Sequence, residues 1–182
     1  MDNGESSYRR FLDGEEDAFD SIMLKYFDSL IFFINRYVED LHAAEDIAID
    51  VFAFVSANKH AYNFKVSLKT YLFMIGRSCA LNYIKHRKKL TVTDFDSAEN
   101  LISEQTALED AVLDSEKKRA LNKAISKLPD DMRLAVHLIY FEELSYEEAA
   151  RVMKKNKKQI DNLLYRAKAL LRTELKKEYE SV

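Results

Sequence analysis

The chain has 182 residues, enough for one ordinary domain or two small ones, and its three glycines and one proline exclude a sheet protein with many tight turns. The single cysteine excludes an internal disulfide, and because the first ten residues are polar, no signal peptide is expected. The scarcity of glycine and proline favours an all-α protein. No apolar run approaches the roughly 20 residues of a membrane-spanning helix, so we expect a cytoplasmic protein without membrane insertion.

Apolar periodicity predicts three helices in the first half of the chain. The first covers about residues 16–38, and the second, at about 43–58, follows a break at 39–42. The third covers about 68–88, after an aperiodic loop at 60–67. With so few helix-breaking residues, these segments predict long helices rather than strands.

The second and third of these helices are each predicted to have two distinct faces. The second helix turns Ile47, Val51, Phe54 and Val55 inward. Its other face shows Glu45, Asp46, Ile49, Asp50 and Phe52. The third helix has an apolar stripe that includes Leu72, Ile75 and Cys79, and a polar, basic stripe of Tyr71, Ser78, Asn82, Lys85 and Lys89. The simplest alternative is that such charged faces are only solvated.

Residues 91–111 differ in character from the segments on either side. They are acidic, contain no basic side chain and are predicted to form a linker. Apolar periodicity recovers in a helix at about 113–127, and Pro129 then suits the first position of a helix that runs to about Phe141.

The remaining sequence predicts a short helix, a turn and a longer helix. Ser145 and Glu148 form a capping box for the short helix, which ends near Met153. After a turn at 154–156, Asn156 is suited to cap a last helix at about 157–177.

This arrangement is typical of a helix-turn-helix, whose second helix enters the major groove of DNA with its N-terminal residues on base edges. Lysines around that helix N-terminus oppose the helix dipole, an effect that a phosphate backbone would reverse. The alternative is a structural helix hairpin with a lysine-rich turn. The candidate DNA-binding residues are Lys154, Lys155, Lys157, Lys158, Gln159, Asp161, Asn162, Tyr165 and Arg166.

Residues 64–89 interleave aromatic and basic side chains. Single-stranded DNA is bound by such combinations, because bases stack on rings while cations contact phosphates. The alternative is a core helix with a basic end, since aromatic residues at helical spacing are usually buried.

The net charge of −3 conceals four blocks of alternating sign. The net charge is −9 over residues 1–56, +8 over 57–90, −8 over 91–116 and +6 over 117–182. Two separate basic blocks predict two surfaces for polyanions, with an acidic strip between them in the sequence.

Two segments together resemble a known family. AAEDIAIDVFAFV (43–55) followed by LKTYLFMIGRSCALNYIKHRKK (68–89) resembles sigma region 2, and residues 124–171 resemble sigma region 4. Their order and spacing are similar to those of the extracytoplasmic-function (ECF) group of sigma-70 family RNA polymerase sigma factors. The resemblance implies a region 2 helical bundle at 8–90, an acidic linker at 91–111 and a region 4 helix-turn-helix at 112–177.

The resemblance also implies partners and roles. Region 2 would bind the clamp helices of the largest subunit of core RNA polymerase through Asp46, Ile47, Asp50, Val51 and Phe52. Region 4 would read the −35 element as duplex through the helix-turn-helix residues, and an anti-sigma protein is an implied candidate partner. Region 2 would also capture the unpaired strand of the −10 element through Asn63, Lys65, Lys69, Tyr71, Arg77, Ser78, Asn82, Lys85, Lys88 and Lys89.

Some positions depart from the family pattern. Many relatives carry Trp in place of Tyr71, and Asn is frequent in place of Ser78. Gly is common in place of Lys154, and an apolar residue in place of Lys155. These differences bear on individual contacts more than on the overall role.

An enzyme is not expected, because the sequence contains neither a nucleophile motif nor a phosphate-binding glycine loop. The four histidines and Cys79 show no metal-ligand spacing, so neither a metal nor a cofactor is predicted. Two alternatives to a sigma factor stay open. One is a helix-turn-helix regulator that acts without polymerase, and the other is a helical interaction module with no nucleic-acid role.

Overall fold

A computed structural model describes residues 4–93 and 112–180, with side chains over 4–89 and 118–177. The described residues form helices and loops without strands, which confirms the all-α prediction. The chain divides into two compact units, Met1–Leu101 (the N-terminal unit) and Ile102–Val182 (the C-terminal unit). The division falls within the predicted linker, most of which lies outside the described residues.

The N-terminal unit contains four α-helices among its described residues. They are α1 (Glu5–Leu12), α2 (Asp17–Val38), α3 (Leu41–Ala57) and α4 (Leu68–Thr93). A 3-10 turn at Lys59–Ala61 lies in the connection between the last two. Helix α4 therefore continues to Thr93, beyond the predicted start of the linker, and α1 was not predicted.

Helix α2 is the centre of this unit, because α1, α3 and α4 all pack against it. Glu39 ends α2 in a left-handed conformation, and the Asp40 side chain accepts a hydrogen bond from the Ala43 amide at 3.2 Å to begin α3. Helix α4 crosses α2 closely at Gly76, where an added Cβ would lie 2.9 Å from Leu30 Cδ1. The core is filled by aromatic and branched side chains that include Tyr8, Phe33, Phe52, Leu72 and Phe73.

The two phenylalanines of α3 are oriented opposite to the prediction. Phe52 is only 1% exposed, whereas Phe54 is 49% exposed. The Phe52 ring lies 6.2 Å from that of Phe19 and 6.0 Å from that of Phe27, both on α2. By helical spacing alone, either phenylalanine could lie at the edge of the buried face of α3. Phe52 is the buried one because the aromatic partners on α2 lie on its side of the helix.

The C-terminal unit contains α5 (Val112–Ser126), α6 (Asp130–Val136), α7 (Tyr146–Met153) and α8 (Lys157–Glu180). Helix α6 continues into a π-helical turn at His137–Phe141, which was predicted as ordinary helix. Helices α5, α6 and α7 all pack against α8.

The helix-turn-helix is formed by α7 and α8. The predicted capping box is confirmed, with the Ser145 hydroxyl accepting from the Glu148 amide and the Glu148 carboxylate accepting from the Ser145 amide. Ala149 and Ala150 are buried and allow the two helices to approach closely. Ile160, Leu164 and Ala167 turn the inner face of α8 into the core, which leaves its opposite face to solvent.

Candidate polymerase and nucleic-acid interfaces

The exposed face of α3 combines acidic and apolar side chains. Asp46 and Asp50 are exposed as predicted. Ile49 and Phe54 are about half exposed, at 51% and 49%. Because apolar area of this kind is costly to leave in water, the face is a candidate docking surface. We call these four residues the acidic-apolar face.

Three residues assigned to polymerase binding lie in the core instead. Ile47, Val51 and Phe52 are 7%, 0% and 1% exposed. This confirms that Ile47 and Val51 turn inward, whereas the prediction that Phe52 lies on the other face of the helix is wrong. Helix α3 packs against both α2 and α4, and this double contact widens its buried arc to include all three. Phe54 was missed because its spacing fits the buried arc equally well.

The connection between α3 and α4 is held by an aromatic cluster. We call residues 58–67 the α3–α4 loop, and Tyr8, Tyr62, Phe64 and Tyr71 the aromatic cluster. Tyr62 is the central ring, with centroids 5.0 Å from Tyr8, 4.6 Å from Phe64 and 5.0 Å from Tyr71. The loop therefore has a defined shape before any ligand binds.

Two hydroxyl groups of the cluster bind loop carbonyls. Tyr8 donates to the Lys59 carbonyl at 2.9 Å, and Tyr62 donates to the Val66 carbonyl at 2.7 Å. Burial, followed by the proximity of Tyr71, raises the pKa of Tyr8 to about 12. Burial also raises the pKa of Tyr62, so both tyrosines stay protonated and donate at neutral pH.

The residues predicted to bind the −10 element lie along the loop and α4, and none of them is buried. Asn63 shapes the loop, since its Oδ1 accepts a hydrogen bond from the Lys65 amide at 3.1 Å. Tyr71 is only partly accessible, because its ring packs at 31° to that of Tyr62. At the other end of α4, Lys85, Lys88 and Lys89 line an open groove of about 540 Å³ with Leu81 and Ile84.

The turn of the helix-turn-helix has a left-handed residue and a reciprocal cap. Lys154 ends α7 with φ 53°, a conformation that glycine adopts most readily. The Asn156 side chain accepts from the Gln159 amide at 2.8 Å, which confirms the predicted cap. The Gln159 side chain in turn accepts from the Asn156 amide at 2.8 Å. Gln159 thus has its oxygen committed to the turn and only its NH₂ group available to a base.

Two of the four lysines at this turn form ion pairs with carboxylates of neighbouring helices. Lys155 Nζ lies 2.9 Å from Asp131 Oδ2, and Lys157 Nζ lies 2.6 Å from Glu147 Oε1. The hydrogen bond between the second pair lowers the pKa of Glu147 and raises that of Lys157. These pairs were not predicted, because the carboxylates are distant in sequence.

The remaining predicted residues of α8 share its outer face. Lys158, Asp161, Asn162 and Arg166 are exposed, and Tyr165 is 76% exposed. An exposed α8 face, with a polar and basic N-terminal half, is the geometry that a recognition helix requires.

The described residues contain no group of three or more His, Cys, Asp or Glu side chains that could hold a metal ion. Over the same part of the chain, no helix is both long enough and apolar enough to cross a membrane. Burial, followed by the charge of Asp50, raises the pKa of the Cys79 thiol. This thiol is therefore a weak nucleophile at neutral pH.

Comparison with known proteins identifies the family. The sigma-70 region 4 family model matches residues 118–171, which include α7, the turn and α8 as far as Leu171. The ECF RNA polymerase sigma factor SigM of Bacillus subtilis is 30% identical over 154 residues, 84% of this chain and 92% of SigM. The chain belongs to the ECF RNA polymerase sigma factors. The RNA polymerase sigma-H factor of Pseudomonas aeruginosa is also 30% identical, over 165 residues that cover 85% of this sigma factor and 84% of the relative.

A solved structure supports the fold of this sigma factor. The sigma factor RpoE of Bartonella quintana, in complex with the anti-sigma factor NepR, matches with a TM-score of 0.67 and 24% identity. The match covers 87% of this chain and 96% of RpoE. Sigma factors are transcription initiation factors and not enzymes, which places this family outside the enzyme classes.

Proposed function

We propose that this ECF sigma factor binds core RNA polymerase, recognises the −10 and −35 promoter elements and promotes DNA melting. This work would be divided between region 2 at 8–90 and region 4 at 112–177, which are joined by the linker at 91–111. The protein would act in the cytoplasm and without enzymatic activity. One observation carries the proposal: none of the side chains predicted to bind DNA is buried in either unit.

Melting by region 2 requires no chemical step. A base that leaves the duplex loses stacking and pairing worth a few kcal/mol, which a protein pocket can offset. The α3–α4 loop is ordered by the aromatic cluster, so little conformational entropy is lost when a base binds there. Arg77, Asn82 and Lys85, on the following helix, would follow the strand.

Recognition of the −35 element uses the exposed face of α8. Phosphates near its N-terminus would meet both the helix dipole and the surrounding lysines. Asn162 is proposed to enter the major groove, with the Gln159 NH₂ group as a further donor, and Arg166 is proposed to contact a phosphate beside it. Lys155 and Lys157 contribute only after they exchange a carboxylate partner for a phosphate.

Polymerase binding is proposed for the acidic-apolar face of α3. Asp46 and Asp50 would meet basic residues of the clamp helices, while Ile49 and Phe54 would supply the apolar contact. This revises the contact set implied by the family, since Ile47, Val51 and Phe52 support the face from inside. An anti-sigma protein is a further proposed partner, because the structurally similar RpoE is bound to NepR.

Run-off transcription tests the proposal. The protein is mixed with purified core polymerase and a library of random promoter fragments, and the transcribed fragments are sequenced. We expect transcripts from fragments that share two spaced elements. A protein that binds duplex DNA tightly but supports no transcription with core enzyme would instead be a regulator that acts without polymerase.

Asp50→Arg tests the polymerase surface, with Asp28→Arg on α2 as the matched control. Both residues are exposed acids, so the charge change is the same and the fold should persist. Reversing one charge at a complementary interface costs several kcal/mol, so we expect core affinity to fall roughly a hundredfold or more for Asp50→Arg alone. Equal affinities of the two variants, measured by fluorescence anisotropy, would remove the face assignment.

A further inference from the structure

Helix α1 carries a cation directly against the α3–α4 loop. Arg9 is exposed, and its guanidinium carbon lies 4.2 Å from the centroid of the Phe64 ring. Phe64 belongs to the loop proposed to hold the unpaired −10 strand. Neither α1 nor this contact was predicted, because α1 and the loop are far apart in the sequence of the unit.

The contact is fixed in place by the core of the N-terminal unit. Tyr8, adjacent to Arg9, is fully buried and donates to the loop carbonyl of Lys59. Its ring contacts those of Tyr62 and Phe64 edge-on, at 5.0 and 6.1 Å. Phe64 itself has φ 60°, a left-handed conformation that is unfavourable for a bulky side chain and that these contacts maintain. Arg9 therefore has a fixed position relative to the loop.

An aromatic partner leaves the charge of Arg9 available. A ring attracts a cation by its quadrupole but does not neutralise it. Arg10, the next residue, differs because its Nε donates to Glu15 Oε2 at 2.8 Å. Lys59, within the loop, also lies over a ring, 5.4 Å from the centroid of Phe11, so one ring-supported cation borders the loop and another belongs to it.

We propose that Arg9 binds a phosphate of the unpaired promoter strand beside the α3–α4 loop, which makes α1 part of the single-strand site. Stacking on Phe64 holds the guanidinium plane, and the N–H groups in that plane match a phosphate bidentately. The inference rests on the proposed role of this loop in capturing the −10 strand.

The test uses holoenzyme reconstituted with core polymerase. A short oligonucleotide that the wild-type holoenzyme selects from a random single-stranded pool serves as the labelled probe. Arg9→Met removes the charge but keeps a chain that packs on the ring, whereas Arg9→Lys keeps the charge. Arg10→Met is the matched control, with the same charge change one residue away. Thermal unfolding checks that each variant is folded.

We expect Arg9→Met to weaken single-strand binding roughly fivefold and to reduce the salt slope by about 0.7, the value for one phosphate on a single strand. Arg9→Lys should retain the slope, and Arg10→Met should match the wild type. Binding to a duplex probe that carries only the −35 element should not change.

Three outcomes would overturn the inference. If Arg9→Met matches Arg10→Met, Arg9 does not touch the strand, although the proposed function stands. If affinity falls with an unchanged slope, Arg9 only positions the loop, and the phosphate contact is excluded. If the wild-type holoenzyme selects no single strand at all, the proposed −10 function fails and this inference fails with it.

Discussion

The two units support the cations of their candidate DNA surfaces in different ways. In the N-terminal unit, Arg9 beside the α3–α4 loop and Lys59 within it lie over aromatic rings. In the C-terminal unit, Lys155 and Lys157 are paired with carboxylates. A ring leaves a cation charged towards solvent, whereas a carboxylate must be displaced before a phosphate can bind. Under the proposed function, the first surface is therefore preorganised for DNA, and the second would exchange partners on binding.

The location of the lysines explains the carboxylates. Lys154, Lys155, Lys157 and Lys158 surround the N-terminus of α8, where positive charge opposes the helix dipole. Asp131 and Glu147 offset this repulsion in the free protein. The phosphates of a bound duplex would offset the same repulsion, because the DNA backbone is negatively charged throughout.

Phe52→Ala is expected to have the largest effect among the changes that test this contrast, because it removes a core ring from the unit that relies on aromatic packing. Truncating a buried Phe costs about 3–5 kcal/mol of unfolding free energy. Phe54→Ala, on the same helix but half exposed, should cost about 1 kcal/mol or less. Urea unfolding followed by circular dichroism, with hydrogen exchange at α3, measures both. Equal losses would contradict the assignment of Phe52 to the core and Phe54 to the surface.

Arg166→Ala tests the duplex side. If Arg166 contacts a phosphate, promoter affinity should fall about tenfold and the salt slope of duplex binding should flatten by about 0.9. Arg172→Ala, further along the exposed part of α8, is the control and should leave the slope unchanged. An identical slope for Arg166→Ala and the wild type would mean that this side chain is not at a phosphate.

Glu147→Gln should have the smallest effect and tests partner exchange directly. The change releases Lys157 from its ion pair, so duplex affinity should rise about two- to threefold and the salt slope should steepen. Glu143→Gln makes the same charge change at another exposed residue of the unit and serves as the control. Equal gains in duplex affinity from both substitutions would indicate a general charge effect. The claim that the lysines of the C-terminal unit exchange a carboxylate for a phosphate would then be contradicted.

Local patterns were sufficient to predict most of the C-terminal unit. The Ser145–Glu148 capping box and the Asn156 cap each join residues three apart, so the stretch of sequence that contains them also determines their geometry. The same locality made the helix-turn-helix and its family resemblance recognisable. The π-helical turn at His137–Phe141 was missed, because it depends on how α6 meets the rest of the unit.

By itself, the sequence determined the helical class, the two basic blocks and the turn between α7 and α8, because periodicity, charge and capping act over a few residues. Only the tertiary structure decided which phenylalanine of α3 is buried, which lysines are paired with carboxylates and that Arg9 lies on Phe64. These contacts join residues that are far apart in the chain. Whether such contacts form depends on which helix packs alongside, and the periodicity of a single helix does not specify its neighbours.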